Sequence, residues 1–393
     1  MKRTLTQAII ILALFTTISL HGQVTIGSNH PPVAGALLDL TEGATTKKGL
    51  GLPRVALTDL EPSTPLELAK SIGNTTGSYD LSDHIGLVVY NQTTTGGCPP
   101  MEPIYKGLYV WDGTKWQILG EGSGANGVYQ VIDDRDGELY LASNFGTAGD
   151  WLLENIRYLP SDGSITLSQP GDSSDPNARI LKRYFYPQPD GGTETNPANI
   201  PEWNKKYGLL YSYAAVTLGA QDLVTEQQGE GDANPGPSTH IQGICPTNWH
   251  IPSDTEWNQL EQVMQATPLP YSSLTAADIS TWGAWQPAWS TSDGSRGEHG
   301  TAMKSECEVP GHSNGAPGGK SRFAHEGGFS ILLAGRFIIE QTSTSFYGQW
   351  GLFWTSSVYG FGSAWCRYFR MTGDVSRYRD GRQSLYSVRC KKD

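Results

Sequence analysis

Apolar and polar positions along this chain change over in short runs, and only one stretch follows a clear helical period. Strand-like runs stand at 36–40, 86–90 and 107–111. Asp112-Gly113 between 108–111 and 115–119 predicts a hairpin. A second hairpin is predicted where 128–132 and 138–142 flank the turn 133–137. Residues 150–156 read as a short strand or a helical turn, and 207–216 as a strand or a short helix. Later strands are expected at 329–334, 352–358, 364–371, 375–378 and 386–390. The helical stretch begins at Ser253, which can cap a helix start. Glu256 can reach back to the Ser253 N–H, and Trp257, Leu260 and Met264 share one face. Residues 161–199 and 221–240, rich in Pro, Gly and polar residues, read as loops. Trp282, Trp285 and Trp289 have helical spacing, but Gly283 and Pro287 interrupt it, so an aromatic-packed loop is expected.

The composition agrees with a β-rich α+β chain: 47 glycines, 18 tyrosines and 12 tryptophans in 393 residues. That length suggests two or three domains. Residues 1–23 read as a secretory signal peptide, with Lys2 and Arg3 ahead of the apolar run 8–20. No later run approaches the ~18 apolar residues of a membrane span. A secreted or cell-surface location is therefore expected. Three pieces follow: a β-rich region 24–120, the linker 121–127 and a large domain 128–393. A net charge of −11 argues against nucleic acid as the main partner. The end of the chain is basic, with Arg367, Arg370, Arg377, Arg379, Arg382, Arg389, Lys391 and Lys392, and reads as a solvated strand face.

Chemistry narrows the reading further. Export permits disulfides among the five cysteines, and the odd count leaves one over. Cys245, Cys307, Cys366 and Cys390 allow three pairings, among which the sequence does not choose, and Cys98 stands apart. No C-x-x-C is present, so a zinc site is not expected; no metal ligand and no cofactor are assigned, and calcium dependence is not given by the sequence. The run 122–127 matches G-x-G-x-x-G but is followed by a strand pattern rather than a helix, so it reads as linker. The turn 133–137 resembles a calcium loop, yet Ile132 stands where the first oxygen ligand is required. Gln188-Pro189-Asp190 spells the sugar-binding tripeptide of calcium lectins but precedes the capped helix and lacks a W-N-D partner. Neither G-x-S-x-G nor H-E-x-x-H occurs, and a non-catalytic role is expected. Aromatic side chains are the candidate ligand-binding residues: Trp354, Tyr359, Phe361 and Trp365, with Arg367 beside them.

Five motifs in order then resemble the Fibrobacter succinogenes major paralogous domain. Residues 150–156 resemble W-x-x-E-N-L, and 207–212 resemble G-x-L-Y-x-W with Tyr213 for Trp. The stretch Cys245 to Trp257 resembles C-P-x-G-W-H-x-P-x-x-x-E-W, with Asn248 for Gly. Residues 353–357 resemble F-W-S-S, and 387–390 resemble S-V-R-C. The resemblance implies a C-type-lectin-like fold with an irregular antiparallel sheet, one or two helices and long loops. It makes Trp249, Ser253, Glu256 and Trp257 structural, His250 a packed or hydrogen-bonded residue of the motif, and Cys245 the partner of Cys390. Cys307 with Cys366 would be a second bridge, leaving Cys98 without an assigned partner. The region 24–120 resembles an N-terminal segment of Bacteroidetes surface proteins and tail-fibre-like stalks, which implies attachment and self-association. The expected function is an exported binding or adhesion module for a glycan or a surface protein. The alternatives are a fibre or pilus-like assembly component, and an enzyme of the formylglycine-generating type using Cys366 and Cys390.

Overall fold

Turn chemistry places both predicted hairpins. Asp112 Oδ1 accepts from the Thr114 and Lys115 N–H groups, and the strands Gly107–Trp111 and Trp116–Leu119 pair across this turn. In the second hairpin Asp133 Oδ1 accepts from the Arg135 N–H, and Tyr129–Ile132 pairs with Leu139–Asn144. The computed structural model describes residues 24–25, 38–40, 49–96, 98, 104–119, 127–169, 171–175, 177–200, 203–219, 240–279, 294–309, 317–359 and 362–393. The expected signal peptide, most of the linker, the Trp282–Trp289 loop, most of 221–240 and Phe361 lie outside them.

The chain divides into two compact units, 1–53 and 54–393. In the first, Val24–Thr25 pairs in parallel with Leu38–Asp39. The second holds several curled sheets. A four-stranded sheet of Arg54–Val55, Val88–Asn91, Gly107–Trp111 and Trp116–Leu119 packs on the helix Pro65–Ser71. That helix starts at a Thr64–Glu67 capping box. The Trp116 Nε1 donates to Ser71 Oγ at 3.0 Å, so even the indole N–H is satisfied in this small core.

The larger part is built around three sheets. One runs in the order Trp249–His250, Lys391–Lys392, Asp150–Leu152, Leu139–Asn144, Tyr129–Ile132. Another orders Gly294–Arg296, Val375–Gly381, Ser363–Arg370 and Trp350–Tyr359. The third has six strands, with Leu210–Ser212 and Leu385–Tyr386 at its centre. The ambiguous stretch 207–216 is both strand and helix: Leu210–Ser212 runs directly into Tyr213–Val216.

The helix Asp254–Ala266 begins at the predicted box, with Ser253 Oγ accepting from the Glu256 N–H and Glu256 accepting from the Ser253 N–H. Trp257, Leu260 and Met264 are fully buried in a core with Trp151, Phe329, Phe353 and Phe369. The Trp151 and Trp257 rings meet edge-on at 5.2 Å.

Three expectations are corrected. Residues 329–334 form no ladder: Ser330 has φ +50°, and a side chain, Arg389, takes the carbonyls of Phe329 and Ser330. The basic end is a solvated face only in part: Arg367, Arg377, Arg382 and Arg389 are buried, whereas Arg379 and Lys392 are exposed. Cys307 pairs with Cys98, not with Cys366. Cys366 sits inside the Ser363–Arg370 strand in a core that does not contain Cys307, and its thiol donates to the Tyr378 carbonyl. Cys245 pairs with Cys390 as the resemblance implied.

Candidate functional site

The aromatic residues singled out by sequence mostly serve the core. Trp354 is buried, stacks on Tyr386 at 4.4 Å and donates Nε1 to the Tyr211 carbonyl. Trp365 is buried under the Arg377 guanidinium, 3.9 Å from the ring centre. Among the described ones, Tyr359 reaches solvent, half-buried, with Arg379 over its ring at 4.0 Å. Trp249 is buried in the larger core.

Arg367 belongs to a buried ion network. Asp254, Asn258 and Glu261 recur at spacings of four and three, which gives the long helix a second buried face beside its apolar one. Arg367 donates to Asp254 Oδ1 and Glu261 Oε1, each at 2.6 Å. Arg377 donates to Asp254 Oδ2 at 2.5 Å, and Arg296 to Glu261 Oε1 at 2.8 Å. His299 Nε2 lies 3.0 Å from Glu261 Oε2. Burial alone would raise both carboxyls; Arg367 and Arg377 hold Asp254 below its ordinary range, and Arg296 and Arg367 hold Glu261 well below. With every partner buried, the network is a rigid joint between helix and sheet rather than a surface for ligands.

A second cluster collects metal-ligand residue types: His240, His250 and Glu256. The geometry disfavours an ion. The two imidazoles stack at 3.8 Å and 21°, so their in-plane lone pairs do not converge on one point. His250 already has Asp393 Oδ1 at 2.7 Å on Nδ1 and Glu256 Oε1 at 3.1 Å on Nε2. The Lys391 ammonium donates to the same Glu256 oxygen at 2.8 Å. Burial raises the Glu256 carboxyl, but His250 and Lys391 outweigh it and bring it down to about 2. This is a hydrogen-bonded clamp joining the helix start to the last strand.

Room for a ligand is found in another part of the fold. A cleft of about 810 Å³ opens between the small sheet, through Tyr105, Trp116 and Ile118, and the second hairpin with its neighbours, through Glu138, Leu139, Glu154, Arg157 and Lys206. Arg157 lies along the Tyr140 ring, 4.2 Å from its centre. Its Nε donates to Glu138 Oε2 at 2.8 Å and its Nη2 to the Leu139 carbonyl at 2.5 Å. Its Nη1, shielded from water, has no acceptor among the described residues. Glu154 Oε2 accepts from the Leu141 N–H at 2.9 Å, while Oε1 stands 3.9 Å from Lys206 Nζ. Lys205 reaches Glu138 Oε1 at 2.8 Å. Sequence reasoning missed this cleft, because its walls come from segments far apart in the chain. Glu154 was in view only as a letter of the opening motif.

Residues 147–392, more than half of the chain, match the Fibrobacter succinogenes major domain. The chain belongs to the Fibrobacter succinogenes major domain family. Residues 25–129 match the phage tail like trimerisation region. No curated protein and no solved structure matches the chain.

In this Fibrobacter succinogenes major domain the family-like motifs converge on one another. Arg389 of S-V-R-C donates Nε to Asn155 of the opening motif at 2.8 Å and Nη1 to the Leu152 carbonyl at 3.2 Å. Cys245 and Cys390 join the middle and closing motifs. Asn248, which replaces a glycine of the motif, has φ +66°, the left-handed region that Gly and Asn tolerate best. The motifs therefore build a frame, and the cleft is lined largely by residues outside them.

Proposed function

We propose that this chain is an exported, non-catalytic binding protein, displayed at the cell surface as a self-associated, trimeric assembly. In this reading 24–120 is a stalk-like region, 121–127 a linker, and 128–393 a C-type-lectin-like module that takes a glycan or a surface protein. The observation that carries it is the cleft of about 810 Å³ where the segment matched to a trimerisation region meets the major domain. Its size suits a small ligand or one arm of a larger one.

Support for a non-catalytic role comes from the cysteines. Burial pushes the Cys366 thiol well above its ordinary range, and Cys390 is bridged, so the two thiols that a formylglycine-type reaction would use are withdrawn. The trimerisation match favours a second reading, in which assembly is the whole function.

The test has two parts, both on the chain lacking only residues 1–23. Light scattering should return three times the chain mass. Glycan and protein arrays should return at least one ligand. A folded, cross-linked monomer that captured nothing on either array would sink the reading, and a trimer that captured nothing would leave the assembly reading in its place.

A further inference from the structure

The strand Tyr129–Ile132 is the outer strand of its five-stranded sheet and pairs there with Leu139–Asn144. The Asp133 N–H donates to the Glu138 carbonyl beside the turn. Hydrogen-bonded pairs alternate along an antiparallel ladder, so the next ones are Val131–Tyr140 and Tyr129–Ala142. The N–H and C=O groups of Gln130 and Ile132 therefore point away from the ladder, and no described residue takes them.

Edges of this kind are ordinarily blunted by charge, proline or a bulge. Tyr129-Gln130-Val131-Ile132 has no charge and no proline, and its register runs without a shift. Its tip is apolar instead: Ile132 is 66% exposed, and its register partner Leu139 is 47% exposed. Gln130 and Leu139 also line the cleft, so the edge and the cleft form one surface. Four acidic and four basic side chains line that cleft, a balance that favours no net charge in what fills it.

Outward N–H and C=O groups on every second residue are matched in spacing by another extended polypeptide backbone, and a saccharide offers no such alternation. The Ile132–Leu139 pair gives the side chains of an added strand an apolar surface on one face. We infer that this edge and its cleft take an extended segment of a target protein as a further strand beside Tyr129–Ile132. That segment carries no net charge and has apolar side chains at alternate positions. The inference rests on the binding reading above and selects protein over glycan.

The experiment pans a displayed library of short peptides on the chain lacking only residues 1–23, then measures a captured peptide by fluorescence anisotropy. Methylating its backbone nitrogens one at a time should weaken binding about tenfold at alternate residues and less than about twofold between them, because only every second N–H meets the edge. Gln130→Pro removes an N–H that the sheet does not use and should also cost about tenfold. Ile132→Lys charges a solvent-exposed position and should weaken the same peptide severalfold, even if the proline disturbs the strand. Binding that survives both variants in folded protein, or that ignores methylation at every position, overturns the inference while leaving a binding protein. So does an empty panning when the arrays return a ligand. A chain mass that is an even multiple, halved in Ile132→Lys, would assign the edge to a second copy and overturn it too, since one edge pairing with itself is two-fold. Silence both on the arrays and in the panning removes the reading beneath it.

Discussion

Arg367 and Arg377 face each other as register partners on neighbouring antiparallel strands, and the Asp254 carboxylate binds both guanidiniums. Two like charges directly across a ladder repel, so the pairing depends on the helix that supplies the counter-ion. Asp254→Asn would leave two buried guanidiniums short of negative charge. The expected loss is about 3–5 kcal/mol, the usual consequence of breaking a buried ion pair from one side. Urea unfolding of the intact chain measures it, and a loss within ~0.5 kcal/mol would show the network to be dispensable.

Acid should weaken the fold in a defined window. Glu256 is held at about 2 against an ordinary value of 4.5, and Asp254 and Glu261 are also lowered. A lowered carboxyl means the unfolded chain binds more protons in this range. The stabilisation is therefore complete above pH 4.5 and drains away as the pH falls toward 2. Thermal unfolding followed from pH 6 down to pH 2 should show this slope, and Glu256→Gln should flatten part of it. A melting temperature indifferent to pH across that window contradicts the clamp.

Thiol chemistry distinguishes the cross-links. The native chain should show no reactive thiol, because Cys366 is buried and its thiol is pushed well up. Unfolding without reductant should expose one thiol per chain. Removing the Cys245–Cys390 bridge, which spans 145 residues, should cost about 5 kcal/mol in the chain-entropy account. A peptide map with Cys307 joined to Cys366 would refute the assignment.

Asn248 offers a backbone test. Its φ of +66° strains any β-branched residue. Asn248→Val should destabilise by about 1–2 kcal/mol, whereas Asn248→Gly should be neutral within ~0.5 kcal/mol. Denaturant midpoints of the two variants decide it, and equal midpoints would mean the turn relaxes.

Local chemistry made much of the architecture readable in advance. The capping box at Ser253–Glu256 and the turns at Asp112 and Asp133 are written within a few residues, and each forms as read. The Cys245–Cys390 bridge was legible only through family resemblance, since no local pattern selects a partner 145 residues away. What misled was charge. An arginine-rich strand reads as solvated, and nothing near Arg367 or Arg377 shows that Asp254, more than a hundred residues earlier, will bury them. The same applies to Trp354 and Trp365, whose burial depends on Tyr386 and Arg377 across the sheet. The cleft was invisible for a related reason: Trp116 and Arg157 come to line one cavity only once distant segments have packed.

The Cys98–Cys307 bond spans 209 residues. Tension arriving from positions before Cys98 can cross directly to Cys307, so the intervening chain is shielded from the pull. A pull applied between the two ends of the chain would then extend it by far less than its contour length. Reduction of that single bond would turn a stiff tether into an extensible one.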